Sequence, residues 1–192
     1  MQTAELPLMA VVFYDDHTSP RPSAMERLPW GSTPEGSDVP GVVDLFAEHD
    51  HTACSPCPGG QRCKEKFCTA FSPVTLRVAS RLDKNVDSVS MLVFDVDHVT
   101  RAELEGVCDR LTGLESLICS THSHLHGGPD DNCVRIIIPL SRPLGPTEFR
   151  HVHREVRRRY MLDWIRPGAV KPSGADPTTK DLSRLYFLPT AP

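Results

Sequence analysis

Two carboxylates one residue apart make the strongest chemical signal in this chain. Met91-Leu92-Val93-Phe94-Asp95-Val96-Asp97 runs from apolar, β-prone residues into a pair of acids. In a strand, side chains alternate faces, so Asp95 and Asp97 point the same way as Val93, while Phe94 and Val96 turn toward a core. Two acids on one face repel unless a cation lies between them. Hard oxygen donors suit Mg²⁺ or Mn²⁺. A lone D-x-D also describes a strand end with two solvated acids, so its neighbours downstream carry the decision.

Two further polar clusters fall at predicted strand ends. One is Ser120-Thr121-His122-Ser123-His124-Leu125-His126, with Arg135 on the strand that follows. The other is Gly174-Ala175-Asp176-Pro177-Thr178-Thr179-Lys180-Asp181-Leu182-Ser183-Arg184. A third carboxylate, Asp176, beside Asp95 and Asp97 completes a site for two divalent ions. Such a pair activates an attacking 3′-hydroxyl and stabilises a leaving pyrophosphate. A neutral histidine, His122 or His124, would hold the triphosphate of an incoming nucleotide together with Arg135, Lys180 and Arg184, arginine being well shaped for phosphate.

A separate cluster reads Cys54-x2-Cys57-x5-Cys63-x4-Cys68 around Pro58-Gly59-Gly60. Four thiolates close a tetrahedron about Zn²⁺, and a tight turn lets them converge. His51 is a substitute ligand. A closed site of this kind is structural, and Lys64 and Lys66 on the knuckle either touch a phosphate backbone or are simply solvated. The total of seven cysteines is odd and four are clustered, which fits metal binding in a reducing compartment better than a disulfide framework. The expected location is cytoplasmic. No signal peptide and no membrane-length apolar run is legible, so no membrane partner is expected.

The elements that must position these groups follow from pattern. Residues 8–14 read as a strand. Residues 17–41, rich in Pro, Gly and Ser, read as an irregular connection with a short helix over 23–28. The stretch 41–51 fits a helical turn or a strand equally, and 74–81 fits a strand or a short helix. Thr100-x-x-Glu103 is a capping box before an amphipathic helix with Leu104, Val107, Cys108 and Leu111 on one face. Strands are predicted over 117–121, 133–140 and 185–188, and Pro146 starts a second helix carrying Phe149, Val152 and Val156. The order from Met91 is β-α-β-β-α-β. The fold class is therefore α+β, a ferredoxin-like or RNA-recognition-like antiparallel sheet with helices on one face and the other face free for chemistry. Residues 1–90 form an N-terminal α/β portion with the zinc knuckle at 51–68 as an insertion. Residues 91–192 form the catalytic portion of the same domain.

A net charge of −4 excludes a wholesale basic coat but not a local basic groove. Arg150, Arg154, Arg157, Arg158 and Arg159 on the second helix fit a solvated face or a template-binding stripe. His98, His151 and His153 are expected at the surface, and Trp30 and Trp164 in the core.

The ordered set F-D-V-D, S-T-H-S-H, R-I-I-I-P-L and D-P-T-T-K-D-L-S-R-L-Y-F-L-P resembles the archaeo-eukaryotic primase superfamily, closest to its bacterial, plasmid and phage primase-polymerases. The resemblance covers about residues 91–189. It implies template-directed nucleotidyl transfer to a DNA primer from nucleoside triphosphates, with two Mg²⁺ or Mn²⁺ ions on Asp95, Asp97 and Asp176. It assigns nucleotide binding to an s-x-H motif, which both Ser120-x-His122 and Ser123-His124 match, and makes Asp181 and Arg184 supporting residues. Ala175 stands where that family has a larger hydrophobic residue. The resemblance also implies that a helicase or accessory helical domain follows residue 192.

Two other readings compete. His124-Leu125-His126 with Tyr160 on the arginine-rich helix matches an HUH-type replication-initiator endonuclease, which leaves the D-x-D pair unused. A non-catalytic zinc-containing nucleic-acid-binding module leaves the co-occurrence of the three polar clusters unexplained.

Overall fold

Most apolar runs of the sequence become strands buried on both faces, which requires stacked layers rather than one exposed sheet. The computed structural model describes residues 7–15, 18–47, 70–121, 124, 127–161, 163 and 173–187. The cysteine cluster with His51, together with His122, Ser123, Leu125, His126 and Trp164, lies outside the described residues.

Among the described residues the elements are β1 (Leu8–Tyr14), β2 (Ala24–Pro29), α1 (Val42–Ala47), β3 (Ala70–Ser72), β4 (Val74–Leu76), β5 (Val86–Val99), α2 (Arg101–Leu111), β6 (Leu117–Ser120), β7 (Asn132–Leu144), α3 (Pro146–Tyr160), β8 (Gly174–Ala175) and β9 (Tyr186–Phe187). They build an α+β fold with two antiparallel sheets. The first has the order β2-β1-β3-β9, and the second has the order β4-β5-β7-β6, with β8 also pairing to β5.

β5 is the central strand, and its alternation sorts the core. Leu92, Phe94 and Val96 share a core with Val107 and Leu111 of α2 and Phe149 of α3. Met91 and Val93, with Ile137 of β7, share the other core with Met9, Val11 and Phe71 of the first sheet and with Trp30. The face expected to be free for chemistry is therefore covered by the first sheet along most of β5. Only the rungs from Asp95 onward, where the side chains turn polar, are left for a site. Ser90 stitches the layers, its hydroxyl donating to the carbonyl of Ala10 at 2.8 Å.

Several local expectations match their physical cause. The Thr100–Glu103 capping box forms: the Glu103 N–H donates to Thr100 Oγ1 at 3.3 Å and the Thr100 N–H to Glu103 Oε2 at 2.8 Å. Pro146 occupies the first turn of α3, where its missing N–H costs nothing.

Others are corrected. Residues 24–29 form an edge strand on β1, not a helix. The ambiguous stretch after Gly41 is helical. β5 begins at Val86 rather than Met91. The last strand, β9, joins β3 in the first sheet, while the two-residue β8 takes the edge of β5. His153 is buried rather than at the surface, 2% exposed, with its ring 4.5 Å from that of Phe94. It lies four residues after Phe149 and three before Val156, on the apolar face of α3.

His153 fills a gap in the hydrogen bonding of the edge of β5. Its ring bonds to the Val93 backbone and, at 3.2 Å, to Thr179 Oγ1. Burial pushes its pKa down to about 4, opposed by the Val93 bond and reinforced by Arg157 and Lys180. A group whose folded-state pKa is depressed stabilises the fold above its ordinary value and loses that contribution as pH falls through the lower one. The His153 contribution is thus whole above about pH 6.5 and lost toward pH 4. Urea denaturation of His153→Ala checks this role. The substitution leaves a cavity beside Phe94 and takes a partner from the Val93 backbone, while Thr179 Oγ1 keeps its bond to the Asp176 carbonyl, for an expected loss of about 2–4 kcal/mol at pH 7.5 that shrinks as pH drops toward 4.

Candidate active site

The register across three strands builds the site. Asp95 on β5 lies directly opposite Arg135 on β7, and Arg135 lies opposite Cys119 on β6. Directly opposed residues of antiparallel strands share a face, so these side chains form one rung. On the far side of β5 the Asp176 N–H donates to the Asp95 carbonyl at 2.8 Å, continuing the pairing of β8. Asp176 thus reaches the acid pair by a two-residue strand.

Asp95 and Arg135 are each only 7% exposed. Arg135 Nε donates to Asp95 Oδ1 at 2.7 Å and its Nη2 to Oδ2 at 3.3 Å, a fork on a carboxylate. The remaining Nη1 donates to the carbonyl of Phe187. The guanidinium also lies 5.0 Å from the ring centre of Tyr186. Arg135 therefore joins the second sheet to β9 of the first.

Arg184 is the second cation. Its Nη2 is 2.9 Å from Asp176 Oδ2 and 3.6 Å from Asp95 Oδ2, so these two acids are bridged by one nitrogen. Its Nη1 donates to Thr178 Oγ1, while its Nε is buried without a hydrogen-bond partner. Asp176 also caps the 3₁₀ turn Pro177–Lys180, accepting the Thr178 N–H at 2.8 Å.

Asp97 is different. It is half-buried, and among the described residues no ion pair or side-chain hydrogen bond holds it. Burial pushes its pKa up to about 6, and repulsion by Asp95 and Asp176 adds to this against the pull of His98 and Arg135. Three carboxylates thus share two guanidiniums, and the uncompensated charge falls on Asp97. An acid with oxygen donors, raised proton affinity and neighbouring carboxylates fits a hard divalent cation.

The other predicted residues are placed as follows. Ser120 ends β6 opposite Val134. His124 Nδ1 accepts the Cys133 N–H at 3.3 Å. Lys180 is exposed at the end of the 3₁₀ turn, and its charge acts on His153. Asp181 is exposed, and its carbonyl accepts the Arg184 N–H at 3.2 Å. Tyr160, the nucleophile of the competing endonuclease reading, packs half-buried against the helical core. On α3, Arg157 donates to the carbonyl of Ala175 at 3.0 Å and Arg158 pairs with Glu155, while Arg150, Arg154 and Arg159 are exposed.

Sequence reasoning missed Tyr186 and Thr178. Both stand inside the quoted motif, but nothing in their spacing tells that the Tyr186 ring lies beneath Arg135 and Arg184. Its hydroxyl donates to the Thr179 carbonyl at 3.1 Å, fixing the turn that carries Asp176.

Two substitutions test this electrostatic arrangement in metal-free protein. A group whose folded-state pKa is raised contributes stability below its ordinary value and loses it as pH rises through the higher one. Ionising Asp97 therefore destabilises the fold between about pH 4 and pH 6. Melting curves of Asp97→Asn should show a gain over the parent at pH 8 that disappears at pH 4. Arg135→Met should cost about 3–5 kcal/mol in chemical denaturation at pH 8, since it strands the buried Asp95 carboxylate.

Among the described residues no helix is long and apolar enough to cross a membrane. No curated protein and no solved structure matches the chain. The family model described as the VapE N-terminal domain matches residues 60–191, which includes every strand from β3 onward and all three acids. With more than half its length matched, the chain belongs to the VapE N-terminal domain family.

Proposed function

We propose that this domain is the catalytic portion of a DNA primase-polymerase, joining nucleotides from nucleoside triphosphates to a templated primer. The observation that carries the reading is that Asp97 lies within electrostatic reach of the Arg184-bridged pair Asp95 and Asp176 and has no cation of its own among the described residues. Membership in a family of phage and plasmid replication-associated proteins supports a replication context. The order β5-β7-β6, with β8 on the free edge of β5, supports an RNA-recognition-like sheet.

Asp97 and Asp176, with one oxygen of Asp95, would hold Mg²⁺ or Mn²⁺. Bound there, such ions lower the pKa of a primer hydroxyl and stabilise the leaving pyrophosphate. Arg135 orients Asp95 through its fork and is itself too enclosed to reach a triphosphate. Arg184 is better placed: its contact with Asp95 is long, and its Nε is unpartnered. As the carboxylates take up positive charge, Arg184 would move from them to a phosphate oxygen. His124 and Ser120 at the end of β6 would meet the same nucleotide, and Lys180 would approach from the solvent side. The four cysteines Cys54, Cys57, Cys63 and Cys68 remain proposed ligands of one structural Zn²⁺, and an accessory domain beyond residue 192 remains a proposed partner.

Primer extension with Mg²⁺ or Mn²⁺ and each nucleotide set tests the proposal. Asp97→Asn should lose at least about 100-fold in turnover while keeping the parent's circular dichroism. Arg184→Ala should raise the nucleotide KM more than it lowers kcat. Undiminished extension by Asp97→Asn would contradict the assignment.

A further inference from the structure

The strand that carries the acids ends in a second cluster which the nucleotidyl-transfer reading does not use. The β5–β7 register shifts between Val96 and Val99, and within that irregularity His98 has φ 55°, the only positive φ at a non-glycine among the described residues. A left-handed conformation at a histidine is strained and persists where the surroundings enforce it. Bulges re-aim side chains, and this one brings His98 to β7. Its Nδ1 is 2.8 Å from Asp131 Oδ1 and 3.8 Å from Cys133 Sγ. The donor atoms of His98, Asp131 and Cys133 all lie within 4.8 Å of one another.

We infer that His98, Asp131 and Cys133 form a binding site for a thiophilic divalent cation of the Zn²⁺ class, separate from the carboxylate site. The donor set of imidazole, carboxylate and thiolate suits zinc rather than magnesium. Typical bond lengths to a tetrahedral zinc imply N···S and N···O separations of about 3.6 and about 3.4 Å. The present 3.8 and 2.8 Å are each within about 0.6 Å of those values, and the carboxylate oxygen lies within 4.8 Å of the sulfur, so the Asp131 carboxylate would re-aim from the imidazole toward the ion on binding.

The supporting bonds are those a metal ligand set needs. Asp131 Oδ2 accepts the Gly127 N–H at 2.8 Å, which leaves Oδ1 for the ion. Cys133 Sγ accepts the His98 N–H at 3.4 Å, a bond that favours thiolate. The sulfur is enclosed, whereas His98 and Asp131 side chains keep 26% and 16% exposure, so an ion would enter from their side and retain water as a fourth ligand. Binding would release the Cys133 thiol proton to solvent and leave the His98 proton on Nε2. The Cys133 N–H is held by His124 Nδ1, so the ion would clamp the end of the acid-bearing strand to the histidine segment. This inference is independent of the polymerase reading.

The test is titration of metal-free full-length chain with Co²⁺, following sulfur-to-cobalt charge-transfer absorption. Ions on Asp95, Asp97 and Asp176 lack sulfur and are silent. Any ion on Cys54, Cys57, Cys63 and Cys68 is shared by parent and variants and cancels. Cys133→Ser should remove one equivalent of Co²⁺ and the absorption belonging to a single thiolate. Because Cys133 is enclosed, His98→Gln and Asp131→Asn serve as second variants, and each should weaken that equivalent at least tenfold and make the rise in melting temperature on adding Zn²⁺ smaller than the parent's. Equal uptake and identical spectra in the parent and all folded variants would overturn the site, leaving a hydrogen-bonded triad without a metal.

Discussion

The buried fork between Arg135 and Asp95 is the constraint on which the rest of the arrangement depends. Two charges removed from water cost several kcal/mol each, and only close geometry with every donor used offsets that. The opposed positions of the two residues on β5 and β7 supply the geometry, and the Phe187 carbonyl takes a third N–H. The pair stands where the apolar layer of Met91, Val93 and Ile137 ends. It therefore closes the core between the sheets and opens the polar end in one rung. The same guanidinium rests on the Tyr186 ring, whose hydroxyl holds the turn that delivers Asp176.

That delivery sets up the electrostatics. Tyr186 and Thr178 hold the turn after β8, and β8 lays Asp176 beside Asp95. Bringing three carboxylates together with two guanidiniums leaves a deficit of one positive charge. Arg135 and Arg184 are spent on Asp95 and Asp176, and Asp97, removed from water and beside those two acids, holds its proton more tightly than a free carboxyl does. A fold needs no such arrangement for stability. The proposed metal site would use that deficit, because full neutralisation by arginine would close it to a cation.

Much of this was legible in the chain, and the gaps have physical reasons. The apolar run from Met91 into Asp95-Val96-Asp97 reports a strand because β-propensity is local, as are the Thr100–Glu103 cap and Pro146 at the start of a helix. The pairing of β8 is not local: Gly174 and Ala175 have no strand signal of their own, and only tertiary context makes them one. β2 escaped because Glu26 and Arg27 mark an exposed edge, where charge is tolerated and hydrophobic pattern is weak. His153 carried a signal, its spacing from Phe149 and Val156, that its polarity obscured. The sequence presents Arg135 as a free phosphate donor because it shows a charge but not its partner across the sheet.

The central claim is that Asp97 bears the charge the two arginines leave uncompensated. A carbon-detected NMR titration of its side-chain carboxyl, run without metal and again with saturating Mg²⁺, measures this directly. The account predicts a midpoint near pH 6 in metal-free protein and a fall below the ordinary carboxyl range once Mg²⁺ is present, since a bound cation reverses the local preference. An ordinary carboxyl midpoint that Mg²⁺ leaves unmoved would contradict it.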